Sequence, residues 1–580
     1  MGVPRLLASI IKKNPATTFW DSDLNVDHLF LDFNAMIYSI IIILSKEIGL
    51  NNNSSVQFES LLLPRIIKHL EYVINDVIRP KKSLYIAMDG SVPMGKIQQQ
   101  RSRRHKAVLE YQFKKDLEKK YNVSLNISKW TSVSISPGTI FMNKLSKLIV
   151  KNIKEKIFKV PLITFSSDLI AGEGEAKIIP EIKKLRDSGE NIVVYSPDAD
   201  LIILTTMTNI PNIYILREVA TLETIEKYSE FFYLNIDVCR KGFFDEITNK
   251  EFESSIIDPN RILADYTFLA TLCGNDFVIH ASFLAIRENG LELLIKIYKK
   301  IRATFNEYLL INNSTINLPF FRKIIAELKD IELEKCQKWQ KNKDRIRKSP
   351  INETKVSNNE TKVSNNETND PEKTLLENTN DILTKFQHNF FYDPNHPQFE
   401  KYNKLFFKIN YFDKDWISQY NNYYFPNEDI NIVCLDYYKS LIFCLKYYNG
   451  LNENWSWSYK HRSNPTFADF HNWLSSNIDV SLEEASIFPK DNPYTPFEQL
   501  MMILPKSYLF LLPKVLNSDM EFINKMYQTS YDIDVLRGQK FIYSEPILPE
   551  IDSDLIKNYI KSKEHLLTNV EKNRNTLTKI

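Results

Sequence analysis

The sequence predicts an α/β protein: a domain built on a parallel sheet, followed by a second, mainly helical domain. Three observations predict it. Short apolar runs in the first half stop at or just before a carboxylate, and amphipathic stretches of helical period separate them. A low-complexity segment then interrupts the chain, and beyond it the composition turns rich in Tyr, Phe and Trp. With 580 residues, 43% hydrophobic and 25% charged, the chain is long enough for two domains, because single cores stop growing near roughly 250–300 residues.

The first strand is expected at His28-Leu29-Phe30-Leu31, which runs into Asp32. Leu84 to Met88 leads to Asp89, and Ile192 to Tyr195 stands just ahead of Asp198. Their unbroken apolar character suits strands covered on both faces. Phe58 to Val77 and Glu175 to Leu185 carry helical spacing between them, and the alternation implies an α/β domain. Ligands of open parallel sheets collect at the carboxyl ends of the strands, which is where the acidic residues fall. Residues 317–348, rich in Lys and Glu, read as an exposed helix. The unit Asn352-Glu353-Thr354-Lys355-Val356-Ser357-Asn358 then repeats from Asn359 and begins again at Asn366. A single Val per unit offers no coiled-coil seam, so this segment reads as a linker. Helices of the second unit are expected to end near Pro426, Pro489 and Pro513. The expected division is thus a catalytic domain 1–316, a helical extension 317–348, a linker 349–380 and a helical, aromatic-rich domain 381–580 that completes the site.

Several function classes are excluded on composition. The five cysteines are odd in number, scattered and never in a CxxC pair, which speaks against zinc and against a disulfide framework. A reducing, intracellular setting follows, with nucleus and cytoplasm undistinguished. The longest apolar run, Met36 to Leu44, falls short of the roughly 20 residues that span a bilayer, and the N-terminus has no sustained signal core, so no membrane association is expected. No HExxH or GxxxxGK[ST] pattern occurs, which argues against zinc hydrolysis and an ATP-driven motor. The net charge of +2 conceals a local bias: Lys96, Arg101, Arg103, Arg104 and Lys106 lie in one segment without an acidic residue.

Asp32, Asp89, Glu173, Glu175, Asp198, Asp200 and Asp276 carry the chemistry. The pairs Glu173/Glu175 and Asp198/Asp200 are spaced i, i+2, which on an extended segment puts two oxygen donors on one side. All-oxygen donor sets favour hard cations such as Mg²⁺. Two cations a few ångströms apart can activate water and neutralise the oxygens of a phosphodiester, so the pattern suggests a metal-dependent nuclease. A lone strand-end or helix-capping carboxylate is usually structural, but seven in this arrangement point to a metal or catalytic site.

These pieces resemble the XRN family of 5′-to-3′ exoribonucleases. The resemblance rests on Met1-Gly2-Val3-Pro4, Leu31-Asp32-Phe33-Asn34, Met88-Asp89-Gly90, Lys96 to Arg104, Ser136 to Met142, Gly172 to Lys177, Ser196 to Leu201, Leu216-Arg217-Glu218 and Cys273 to Phe277. It covers residues 1 to about 300 and resumes at about 380–545, through Tyr447 to Gly450, Trp455-Ser456-Trp457 and Pro493 to Leu500. It implies a PIN/flap-nuclease-like catalytic fold in a compact, monomeric member without the family's long C-terminal extension.

The resemblance further implies a role for each motif. The seven acidic residues would line the site for two Mg²⁺ ions, with Mn²⁺ as a substitute. Lys96, Gln100, Arg103 and Arg104, at i, i+4, i+7 and i+8, would share one helix face and bind the 5′-monophosphate of single-stranded RNA. Base stacking would fall to Tyr38, where the family has His, and to Trp455 or Trp457. Nucleoside monophosphates would be released. His280 fits the pattern but is left outside the catalytic set, and protein partners are unassigned. Two other readings are a structure-specific 5′ flap DNA nuclease, which would lack the Lys96–Arg104 motif, and a non-catalytic RNA-binding relative, which would have lost carboxylates.

Overall fold

The computed structural model describes residues 6–48, 55–123, 130–219, 230–248, 258–312, 314–348, 383, 404–405, 408–477, 482, 487–534, 536, 541 and 544–578. The expected linker 349–380 and the opening Met1-Gly2-Val3-Pro4 lie outside the described residues. The centre is a seven-stranded sheet: β1 (Thr18–Phe19), β2 (His28–Asp32), β3 (Ser83–Ala87), β4 (Leu162–Ser166), β5 (Ile192–Tyr195), β6 (Ile213–Glu218) and β7 (Phe231–Asn235). Their order across the sheet is β1-β7-β6-β5-β2-β3-β4. β6, β5, β2, β3 and β4 run parallel to one another, with Leu29 opposite both Val193 and Leu84. β7 pairs antiparallel with β6 and with β1, so the sheet is mixed where the sequence predicted a parallel one.

Alternate residues of β2 serve opposite faces, as a pleated strand requires. Leu29 and Leu31 join one core with Phe33, Leu62 and Leu145, from the helices Phe33–Ile48, Ser55–Tyr72 and Ile140–Lys154. Phe30 joins a second core with Ile178, Leu201 and Phe268, from Gly174–Lys183, Asp200–Thr208 and Pro259–Leu272. That second core continues without a break into Tyr437, Phe443 and Phe470 of the helices Ile430–Asn449 and Phe467–Ser476. The two halves of the chain share it.

The helix Leu318–Lys348 corrects the expectation of an exposed extension. Phe320, Phe321, Ile324, Ile325 and Leu328 are buried in the shared core, because the apolar residues of its first three turns fall on one face toward Phe467–Ser476. Two expected helix ends also differ: residues 487–495 are non-helical, and a 3₁₀ turn, Lys506–Leu511, precedes Pro513. The helix Trp416–Tyr424 does stop just before Pro426. No helix among the described residues is long and apolar enough to cross a membrane.

Glu332, on this buried helix, accepts backbone N–H bonds from Phe467 at 3.0 and 2.9 Å and from Ala468 at 3.3 Å, capping the helix Phe467–Ser476. Burial pushes its carboxyl up from 4.5 to about 8 despite those donors. The folded state therefore binds the extra proton between these two values, and the stabilisation is full below the lower one and lost as pH rises through the upper. Glu332→Gln should flatten this dependence. Thermal melts across the interval are expected to show wild type losing stability relative to the variant as pH rises; parallel curves would contradict it.

Candidate active site

The carboxyl edge of the parallel strands gathers the acidic residues. Asp32 closes β2 and accepts a bond from Ser196 Oγ at 2.8 Å. Asp89 follows β3; its Oδ1 accepts from Gly174 N at 2.8 Å, and its own N–H donates to Asn34 Oδ1 at 3.3 Å. Glu173 is the N-cap of the helix Gly174–Lys183 and Glu175 lies in its first turn, where the helix dipole favours negative charge. A Cβ on Gly174 would lie 2.6 Å from Asp32 Oδ1, so only glycine lets these elements approach so closely. Asp198 Oδ1 accepts from Asp200 N at 3.1 Å, and Asp200 starts the helix Asp200–Thr208. Asp276 follows Gly274, whose φ of +94° puts it in a region that L side chains rarely adopt.

The electrostatics are those of crowded acids. Burial, then the charges of Asp89 and Glu175, push the Asp32 carboxyl well above the usual range. Burial and Glu175 raise Asp89 to about 6. Glu173 is raised by burial, and Asp200 by burial together with Asp198 and Asp276. Among the described residues, Lys96 pairs with three of these acids: it is 3% exposed, with Nζ 2.8 Å from Glu173, 3.3 Å from Glu175 and 2.7 Å from Asp276. Burial opposes its charge, but Asp276, Glu173 and Glu175 outweigh it and hold the ammonium well above its ordinary range. Among the described residues, no three His, Cys, Asp or Glu side chains converge closely enough to hold a metal ion. The donor chemistry nevertheless fits a hard cation: the acids are oxygen donors, and Lys96 marks where positive charge is stabilised among them.

A cavity of about 770 Å³ joins six of the seven acids, all but Asp200, to Tyr38, Lys96, Gln100, Arg103 and Arg104. The last four lie on the helix Met94–Tyr121, as their spacing predicted, but Lys96 turns toward the carboxylates. Gln100 Oε1 accepts from Arg104 Nη1 at 3.1 Å, and Arg104 Nη2 donates to Ser136 Oγ at 2.8 Å. Arg103 is exposed, and Tyr38 stands at the rim, 41% exposed. Neither tryptophan lines this cavity. Trp457 packs between Phe443 and Phe488, with ring centroids 5.1 Å from each, and faces a neighbouring cavity of about 350 Å³. Trp455 is half-buried, and its carbonyl accepts from Met94 N at 2.8 Å, anchoring the start of the helix.

The second half of the chain holds the N-terminal part of that helix, from Met94 to Lys106. Gln499 accepts from Val92 N at 2.8 Å and donates to Gln100 at 3.4 Å. Arg101 donates to the Pro549 carbonyl at 2.6 Å, and Lys106 to that of Ser544 at 3.1 Å. Sequence reasoning assigned no role to several supports of the acids. Gln99 donates to Asp276, Tyr447 O–H to Glu173 at 3.3 Å, and Tyr448 O–H to Asp200 at 3.4 Å. Lys177 is buried and donates to the carbonyls of Met88 and Ser167, pinning the strand end before Asp89. The only signal was their position inside the quoted motifs.

Comparison with known proteins adds a family relationship. Residues 1–219 match the family model described as XRN 5′-3′ exonuclease N-terminus, and residues 256–579 match that of the Xrn1 helical domain. Among similar proteins, 5′-3′ exoribonuclease 1 of Schizosaccharomyces pombe is 24% identical, the match covering 99% of this chain and 50% of the relative. The human protein of the same name is 25% identical over 99% of this chain and 35% of the relative. The Drosophila melanogaster 5′-3′ exoribonuclease 2 homolog is 25% identical, over 95% of this chain and 67% of the relative. The chain thus spans half or less of the first two.

Proposed function

The chain belongs to the XRN 5′-3′ exonuclease family, and from that premise we propose that it degrades RNA bearing a 5′-monophosphate, one nucleotide at a time. The observation that carries this reading is the single cavity in which acids at the strand ends face Gln100, Arg103 and Arg104. Asp32, Asp89, Glu173, Glu175, Asp198, Asp200 and Asp276 would hold divalent cations, Mg²⁺ or in its place Mn²⁺. Two such ions, when bound, supply an activated water and neutralise charge on the attacking and leaving oxygens. Asn34, Ser196, Tyr447 and Tyr448 orient the acids, and the N–H of Gly174 fixes Asp89. Arg103 and Arg104 offer forked donors that suit a terminal phosphate, with Gln100 aligning Arg104. Lys96 neutralises the acids from the same helix. Tyr38 offers the first base a stacking face at the rim.

Cleavage between the first and second nucleotides leaves a nucleoside 5′-monophosphate and a shortened RNA with a fresh 5′-phosphate. Each product end is again a substrate, which suits stepwise digestion of single-stranded RNA by a monomer. The doubly covered sheet with acids at its carboxyl edge supports a PIN/flap-nuclease-like catalytic fold. The unpaired thiols suit an intracellular setting. Purified protein with Mg²⁺ should degrade 5′-monophosphate RNA to mononucleotides and leave 5′-triphosphate RNA largely intact. Removal of only the flap strand from DNA substrates would favour a flap nuclease, and binding without any cleavage would favour a non-catalytic relative.

A further inference from the structure

Arg217 sits near the carboxyl end of β6 and lines the same cavity as Asp32 and Asp198. It is 6% exposed, yet its side chain forms part of the cavity wall. Nη2 donates to the Pro197 carbonyl and so braces the loop that carries Asp198. Nε and Nη1 are buried, and among the described residues neither has a hydrogen-bond partner. Buried donors are ordinarily satisfied, so a permanently charged fork with two nitrogens, three N–H groups in all, left unpartnered needs an explanation. Bracing Pro197 uses only one of its donors.

We propose that Arg217 binds the scissile phosphodiester, offering its spare N–H groups to non-bridging oxygens of the bond being cut. The inference rests on the hydrolytic reading above. Terminal-phosphate recognition belongs to the helix Met94–Tyr121, where Arg104 is tied to Gln100 and Ser136. Arg217 is instead tied to the segment between Ser196 and Asp200, beside the acids. A strand of the central sheet holds it, so the side chain stands at the cavity wall before substrate arrives. Forked guanidinium donors match paired phosphate oxygens, and preorganised donors act most strongly where charge develops in the transition state.

The test uses the full chain with Arg217→Gln and Arg217→Lys, and 5′-monophosphate RNA whose first linkage is either a phosphodiester or a neutral methylphosphonate. Arg217→Gln should lower kcat on the phosphodiester by about 10²–10³-fold. KM and the preference for 5′-monophosphate over 5′-hydroxyl ends should change little, Lys should restore part of the rate, and the loss should shrink on the methylphosphonate. Wild-type kcat in Arg217→Gln, or an equal loss on both linkages, would overturn the assignment while leaving the hydrolytic reading intact. A wild-type chain that cuts neither RNA would overturn both.

Discussion

Asp200→Asn is expected to lower the rate of RNA hydrolysis by about 10³-fold or more while leaving RNA binding in place. Asp200 is 2% exposed, opens the helix Asp200–Thr208 and accepts from Tyr448. Asparagine preserves its shape and can keep the Tyr448 bond, so the substitution removes little but negative charge. That charge is what the proposed cations need. The same substitution relieves a conflict in the fold, since burial and the neighbouring Asp198 and Asp276 hold the Asp200 carboxyl well above its usual range. Melting temperature should therefore hold or rise as activity collapses. Single-turnover rates, anisotropy with labelled 5′-monophosphate RNA and a thermal melt together check this; a variant within tenfold of wild type would remove Asp200 from the catalytic set.

Arg104→Ala should cost the enzyme its choice of 5′ end. Burial lowers the guanidinium from its ordinary value to about 10, which leaves it charged at neutral pH, and Ser136 and Gln100 fix its direction. A hydrogen bond to a charged group contributes about 1.5–3 kcal/mol, so the ratio of kcat/KM for 5′-monophosphate over 5′-hydroxyl RNA should fall by about 10–100-fold. Cutting of 5′-hydroxyl RNA should change much less. Matched oligonucleotides differing only at the 5′ end measure the ratio, and equal ratios in wild type and variant would exclude Arg104 from the pocket. Arg103, on the same cavity but exposed, should give a smaller loss.

The central strands were legible because burial on both faces leaves a continuous apolar signature, as in Leu29-Phe30-Leu31 and Val193-Val194-Tyr195. β4 was less so: as the edge strand it exposes Leu162, and its run lacks that signature. The placement of Gln100, Arg103 and Arg104 in one cavity followed from helical spacing. The direction of Lys96 did not, since spacing fixes a helix face but not which nearby anions a flexible ammonium takes. The roles of Trp455 and Trp457 were also hidden: aromatic identity does not distinguish a ring facing the cavity from one packed on Phe443. The Lys- and Glu-rich composition of residues 317–348 masked Phe320, Phe321 and Ile324, whose burial depends on partners more than a hundred residues away.

The supports of the helix Met94–Tyr121 have a bearing on how the protein matures. The face proposed to bind phosphate and six of the acids lie within the first 200 residues, yet the groups that hold that helix, Gln499, Ser544 and Pro549, come hundreds of residues later. A chain emerging from the ribosome exposes the acids long before it can assemble the pocket that would present RNA to them. Under the proposed function, the ability to act on RNA, including the message being translated, is therefore acquired only once Gln499, Ser544 and Pro549 have been made.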